Sequence, residues 1–286
     1  MAIKFFYEAK NWSINWMCKQ LEISRAAYYK WLHREIPKQE AENMKLAELI
    51  KEYDERFNHI LGYRRMTSWI NHFNHSDYKP KRVHRIMKKL GIHSVIRKKK
   101  KKYASSTPET IAENKLGRDF YADAPNKKWA TDVTEFNLRG EKAYLSPILD
   151  GYNQEVISYN ISKSPNLEQI NDMLNKAFNK NNNLDGLIFH SDQGWQYQHE
   201  HYINSLKEHG IIQSMSRKGN CYDNCIMETF FGRLKNEIYY GYESEYKSFE
   251  EFSNAMKEYI DYYNSERIQA KTKWMPPVQY RLASMC

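Results

Sequence analysis

Three acidic residues stand where carboxylates could do chemistry together. Asp132 lies in Trp129-Ala130-Thr131-Asp132-Val133-Thr134-Glu135-Phe136, among the core-like Ala130, Val133 and Phe136. An unpaired carboxylate inside such an apolar element is costly. Asp192 follows a short apolar run in His190-Ser191-Asp192-Gln193-Gly194, where Gly194 is expected to let the backbone turn sharply. Glu228 comes 35 intervening residues later. Any one of these acids alone reads as well as a solvated surface group. Together they suit phosphodiester cleavage, which needs an activated water or hydroxyl, a stabilised leaving oxygen and neutralised phosphate charge. Two divalent ions roughly 3.5 to 4 Å apart supply all three, and carboxylates are the hard oxygen ligands that Mg²⁺ or Mn²⁺ prefers.

The flanks of Glu228 add basic and polar groups. On a helix, Asn224, Glu228, Phe231 and Lys235 share one face, so Lys235 is expected beside the carboxylate, within reach of a phosphate or base. Ser216-Arg217-Lys218-Gly219-Asn220 is a basic, glycine-hinged loop suited to gripping a DNA end, although an ordinary surface loop reads the same way. Cys221 and Cys225 are spaced C-x₃-C, but no second Cys or His pair completes a zinc cage.

The elements that must position these groups change character along the chain. From Asn126 the pattern is strand-like: 129–136, 143–149 after a turn at Arg139-Gly140, and 156–161, close enough together for an antiparallel meander. A helix over 167–178, a buried parallel-type strand over 187–190, a helix over 202–209, a strand over 211–215 and helices over 223–240 and 249–264 follow. A meander followed by alternating helix and strand predicts an α/β ribonuclease H-like core, a mixed five-stranded sheet flanked by helices.

Small all-α modules precede it. Residues 12–34 read as two short helices with a tight turn, Ser24 capping the second, and Arg25, Tyr29, Lys30 and Arg34 available to DNA. A plain helical hairpin is the alternative. Residues 35–103 carry amphipathic helices at 41–57, from Gly62 through Ile70, and at 80–90. From Lys79 to Tyr103 there are twelve Lys or Arg and no acid, and Arg97, Lys98, Lys99 and Lys100 open an unbroken basic run to Lys102. Such a run repels itself into an extended segment and can lie along phosphates. The expected organisation is a helix-turn-helix module at 1–36, a second helical module at 37–103, a linker at 104–124 and the catalytic core at 125–286.

Bulk properties fit this. The 286 residues carry a net charge of +9, which favours a polyanionic partner. The mean hydropathy is −0.85, no apolar run reaches a membrane span, and 1–10 lacks the apolar stretch of a secretory signal. Four cysteines are too few for a disulfide scaffold and suit a reducing cytosol.

The strings WATDVTEF (129–136), HSDQGWQY (190–197), SMSRKGNCYDN (214–224) and METFFGRLK (227–235) closely resemble the integrase core of bacterial transposases of the insertion-sequence-three family, specifically its second-reading-frame product. CKQLEISRAAYYKWL (18–32), GYRRMTSWI (62–70) and YIDYYNSERIQ (259–269), with Pro277, Tyr280 and Arg281, extend the resemblance to nearly the whole chain. The resemblance implies a DDE triad of Asp132, Asp192 and Glu228 holding two Mg²⁺ or Mn²⁺ ions, with Lys235 as the associated basic residue. It implies binding of an element's terminal repeats, nicking to a 3′-OH and strand transfer, by a multimer on DNA in the bacterial cytoplasm and nucleoid. An upstream-frame product, separate or fused, is the implied partner. A nuclease on the same fold and a non-catalytic helix-turn-helix regulator are the competing readings.

Overall fold

The computed structural model describes residues 2–94, 111–181, 183–217 and 221–285. Helices α1 (Ala2–Lys10), α2 (Ile14–Gln20) and α3 (Arg25–Leu32) open the chain. Ser13 and Ser24 each accept a backbone N–H three residues ahead, satisfying donors that a helix start otherwise orphans. Ile3, Met17, Cys18 and Tyr28 make a small core, so α1 is a third member beside the two helices legible in the sequence. The second module is α4 (Lys38–Arg56), α5 (Tyr63–Phe73) and α6 (Pro80–Leu90). Pro80 begins α6 without losing a needed donor, and Gly91, at φ 71°, ends it in the left-handed conformation. Its core of Leu46, Ile50, Met66, Ile70 and Val83 also takes in Ile268 from the far end of the chain.

Residues 111–124, read from sequence as linker, pack along the core. Leu116 and Phe120 are buried in it, and the Lys115 and Leu116 N–H groups donate to Ser214 Oγ at 3.0 and 3.2 Å.

The sheet comprises β1 (Lys128–Thr131), β2 (Thr134–Leu138), β3 (Glu141–Asp150), β4 (Val156–Ser162), β5 (Ile188–Ser191) and β6 (Ile212–Met215). β1 and β2 lie antiparallel to β3 in one continuous register, with Thr131 opposite Ile148 and Thr134 opposite Leu145. They are one strand interrupted at Asp132 and Val133. That register sets Asp132 opposite Pro147, which has no N–H to give to a ladder. The side-chain hydroxyl of Thr131 donates to the Pro147 carbonyl at 2.9 Å instead. β4 covers the other edge of β3, while β5 joins β1 in parallel and β6 joins β5 in parallel. The five strand positions of the expected mixed sheet are therefore filled, with the first strand broken where its carboxylate sits.

Helix α7 (Leu167–Lys180) covers one face, where Ile170, Met173 and Leu174 meet Ile148 and Phe189. On the other face α9 (Cys225–Ile238) and α10 (Phe249–Ser265) bury Met227, Phe230, Phe252 and Met256 against Phe136 and Leu145. α8 (Glu200–Glu208) lies between β5 and β6, and α11 (Pro277–Met285) is tied back by Arg281, whose Nη1 donates to Glu155 Oε2 at 2.8 Å.

Candidate active site

Asp132 and Asp192 come together through strand pairing. β1 and β5 run parallel with Lys128 opposite Ile188 and Ala130 opposite His190. Carried two residues on, this register sets Asp132 opposite Asp192, at the carboxyl ends of neighbouring strands about 4.8 Å apart. Strand ends of this kind are where open α/β sheets collect ligands. Asp132 Oδ1 accepts the Val133 N–H at 2.7 Å, and Asp192 Oδ1 accepts the Gly194 N–H at 2.9 Å. Gly194 has φ −60°, so it is not needed for a left-handed turn. It is needed for space: a Cβ there would stand 2.9 Å from Asp192 Oδ1.

The pair is electrostatically frustrated. Burial pushes the Asp132 carboxyl well above the usual range, and the nearby charges of Asp192 and Glu228 push it further; the Val133 N–H and Lys235 oppose this. Burial also raises Asp192, against the Gly194 N–H. Among the described residues none of Asp132, Asp192 and Glu228 has an ion-pair partner. Two desolvated carboxylates side by side, with only oxygen donors, make a donor set that fits a hard divalent cation.

Glu228 meets the pair from a different element. It is exposed in the first turn of α9, where a negative charge suits the helix dipole. Among the described residues no three His, Cys, Asp or Glu side chains are grouped closely enough to enclose an ion by themselves. The expected shared helix face is also modified. Cys221–Asn224 is a 3₁₀ turn and α9 begins only at Cys225. Phe231 faces the core, and Lys235 reaches the first strand: its Nζ donates to the Glu135 carbonyl at 3.1 Å and lies 4.9 Å from the Phe136 ring centre.

Asn224, expected at DNA, is 5% exposed and donates through Nδ2 to Asp132 Oδ2 at 3.3 Å. It thereby holds the Asp132 carboxylate. Arg217 forks onto Asp223, Nε to Oδ2 at 2.7 Å and Nη2 to Oδ1 at 2.9 Å, while its side chain stays 60% exposed. Arg25, Lys30 and Arg34 are all exposed, and Arg34 pairs with Glu40. Arg97, Lys98, Lys99, Lys100 and Lys218 lie outside the described residues.

Two supporting residues, Asp223 and His190, escaped the sequence reading. Asp223 is buried and accepts from Arg217, from Arg118 Nε at 2.8 Å and from Asn114 Nδ2 at 3.0 Å. Arg217 and Arg118 hold its carboxyl far below the usual range, against the cost of burial. His190 is fully buried, with Nδ1 2.9 Å from Ser214 Oγ and Nε2 2.7 Å from the Asp223 carbonyl. A carbonyl only accepts, so Nε2 carries the proton and Nδ1 accepts from Ser214. Burial lowers the His190 pKa and keeps the ring neutral. The partners lie 24 and 33 residues away in sequence, so only the odd placement of a His in an apolar strand hinted at them.

Comparison with known proteins agrees with this architecture. The family described as Integrase core domain matches residues 122–221, a second family of that description matches 228–285, and an HTH-like domain matches 41–100. The putative transposase InsK of insertion element IS150 from Escherichia coli is 43% identical over 268 residues, 93% of this chain and 92% of that protein. A transposase-like protein of Haemophilus influenzae is 51% identical, over 72% of this chain and 94% of its own length. The transposase InsF of IS3 from Escherichia coli is 29% identical over 81% of each chain. Among solved structures, the HTLV-2 integrase catalytic core domain in complex with magnesium aligns with 56% of this chain and 98% of its own, at 17% identity and a TM-score of 0.45. The chain belongs to the integrase-core transposases of bacterial insertion sequences, the group that includes those of IS150 and IS3.

Proposed function

We propose that this chain binds the ends of its insertion element and there catalyses DNA strand cleavage and strand transfer, with Asp132, Asp192 and Glu228 as its catalytic carboxylates. The observation that carries the reading is the meeting of Asp132 and Asp192, desolvated and without ion-pair partners, at the ends of parallel neighbours β1 and β5.

Asp132, Asp192 and, from α9, Glu228 would hold the metal. Two Mg²⁺ or Mn²⁺ ions would supply charge neutralisation at the phosphate and an activated oxygen nucleophile. The Val133 and Gly194 N–H groups and Asn224 hold the carboxylate oxygens in fixed orientation, as geometry-dependent catalysis requires. Lys235 is held beside the first strand by the Glu135 carbonyl and offers its ammonium to a phosphate oxygen. In the first step water forms a new bond to phosphorus and the 3′ oxygen leaves. In the second the freed 3′-OH gives up its proton and forms a new bond to the phosphorus of another phosphodiester, whose own 3′ oxygen leaves and takes a proton to become a 3′-OH.

Arg25, Lys30 and Arg34 of the first helical module, the basic run from Arg97 to Lys100, and Arg217 with Lys218 contact the DNA backbone or bases. Two ends must be brought together, so the chain works as a multimer on DNA, with an upstream-frame product as a further partner, in the bacterial nucleoid. No helix among the described residues is long and apolar enough to cross a membrane. The test uses labelled duplex carrying the cognate element end, with Mg²⁺ and with chelator. Metal-dependent nicked and joined products are expected. Nicking without joining would favour a nuclease, and binding without either would favour a regulator.

A further inference from the structure

A basic cleft whose lining includes none of Asp132, Asp192 and Glu228 lies where the helical module meets the C-terminal part of the core. Its volume is about 690 Å³. Its floor is a buried ion cluster. Glu237 accepts from Arg267 Nη2 at 2.9 Å and Nε at 3.1 Å, and also from Arg65. These two arginines hold the Glu237 carboxyl down against the cost of burial. That carboxylate is spoken for.

The remaining cations of the lining have no acid of their own. Arg64, Arg233 and Lys271 line the cleft, and among the described residues none of them forms an ion pair. Arg233 Nη1 donates to Gln269 Oε1 at 2.8 Å. The same Gln269 is 5% exposed, and its Nε2 is a buried donor with no partner. An unmatched donor beside unpaired cations is a place for an acceptor-rich anion. Lys271 lies 4.2 Å from the Tyr121 ring centre, and burial lowers its pKa, as it does where the surroundings supply no compensating negative charge.

Trp274 adds a flat apolar surface. It lines the cleft and is 41% exposed. Lys273 and Trp274 both adopt left-handed backbone, at φ 53° and 64°, which non-glycine residues rarely do. The turn is held there by the Trp274 N–H donating to the Gln269 carbonyl at 2.8 Å and the Met275 N–H to the Thr272 carbonyl at 2.9 Å. Backbone strain maintained around an exposed indole is characteristic of ligand contacts.

Cations interleaved with an exposed aromatic ring are what an unpaired nucleic-acid strand binds: phosphates take the charges and a base stacks on the ring. The volume is that of a small-molecule site, room for about one or two nucleotides and too little for a double helix. We propose that this cleft binds an unpaired segment of DNA strand, with Arg64, Arg233 and Lys271 on its phosphates and Trp274 stacked on a base. This rests on the reading of the chain as a DNA-cutting transposase and gives the released or frayed strand a binding place lined by other residues than the three carboxylates.

The test measures binding of the full chain to a short labelled oligothymidylate and, separately, to duplex DNA. Trp274→Ala and Lys271→Gln are each expected to weaken single-strand binding about tenfold while duplex binding stays within about twofold. Trp274→Phe keeps a stacking surface and is expected to retain most of the affinity. Lys271→Gln should also reduce the single-strand salt slope by about 0.7, one phosphate contact. Should Trp274→Ala fail to fold, Trp274→Phe and Lys271→Gln still decide the matter. Equal losses on both DNA forms would overturn the inference by making the cleft part of a duplex track. Competition by thymidine monophosphate as effective as by the oligomer would overturn it in favour of a mononucleotide site. Wild-type binding to duplex but not to single strand would overturn it and leave the transposase reading standing; binding to neither form would remove both.

Discussion

Arg217 and Asp223 form a two-point fork, at 2.7 and 2.9 Å, that fastens the segment leading into α9 beside β5 and β6. Asp223 is wholly buried, whereas the Arg217 side chain is 60% exposed. Such an arrangement stabilises mainly through the buried acceptor, because an exposed guanidinium alone is well solvated. Its consequence is positional. Asp223 immediately precedes Asn224, and Asn224 reaches Asp132.

Asp223→Ala is therefore expected to cost about 1–3 kcal/mol of stability, by leaving hydrogen-bond partners unmade. It should also lower strand nicking about tenfold or more at temperatures where the protein remains folded, since Asn224 loses its fixed place. Chemical denaturation and single-turnover nicking measure the two effects. Loss of stability with full nicking would show that the fork does not govern Asp132.

Gly194 places a second constraint on the site. Gly194→Ala keeps an allowed backbone but puts a Cβ 2.9 Å from Asp192 Oδ1 and 2.7 Å from Gln196 Nε2. The flexible Gln196 side chain can move aside; Asp192 can yield only by leaving its orientation. An activity loss of about tenfold or more is expected, with an almost unchanged melting temperature. Unimpaired turnover would mean that the orientation of Asp192 is not critical.

The repulsion between Asp132 and Asp192 has a thermodynamic signature. Asp132 has a pKa raised above its ordinary value of 3.8, so its ionisation at neutral pH destabilises the metal-free fold. Asp132→Asn is expected to raise metal-free stability, read as a higher melting temperature than that of the wild type without metal. Mg²⁺ should raise the melting temperature of the wild type and leave that of Asp132→Asn nearly unchanged. Equal Mg²⁺ responses in the two proteins would place the ion elsewhere.

His190 supplies a pH dependence of known sign. Its pKa in the fold lies below the ordinary 6.5. Between the folded value and 6.5 the unfolded chain binds more protons, so stability is full above 6.5 and is lost as pH falls below it. His190→Gln, which cannot titrate, should show a shallower loss of melting temperature between about pH 7 and 5. Parallel curves would mean that the acid sensitivity comes from other groups.

Much of this was legible from the chain and some was not. The α7 and α10 faces follow from apolar residues at helical spacing, and Asp132 and Asp192 stood out as carboxylates in strand patterns. Three features depend on what lies across space. The break at Asp132 depends on Pro147, its cross-strand neighbour. The capture of Lys235 by the Glu135 carbonyl replaces the expected pairing along α9. Asn224 turns inward because Cys221–Asn224 is a 3₁₀ turn, which rotates it off the helical face that spacing alone assigns. Periodicity assigns residues to faces but does not name the partner each polar side chain meets across space, so contacts of this kind cannot be read from it.

The most direct test compares single-turnover nicking and joining by wild type, Asp132→Asn, Asp192→Asn and Glu228→Gln on a cognate element end in Mg²⁺, with end binding measured in parallel. All three variants are expected to bind the end within about threefold of wild type and to lose both nicking and joining by about a thousandfold, the scale of removing an essential electrostatic group. Robust turnover by any one of them would contradict its place in the catalytic site. For Glu228, the exposed member on α9, it would reduce the site to the strand-end pair.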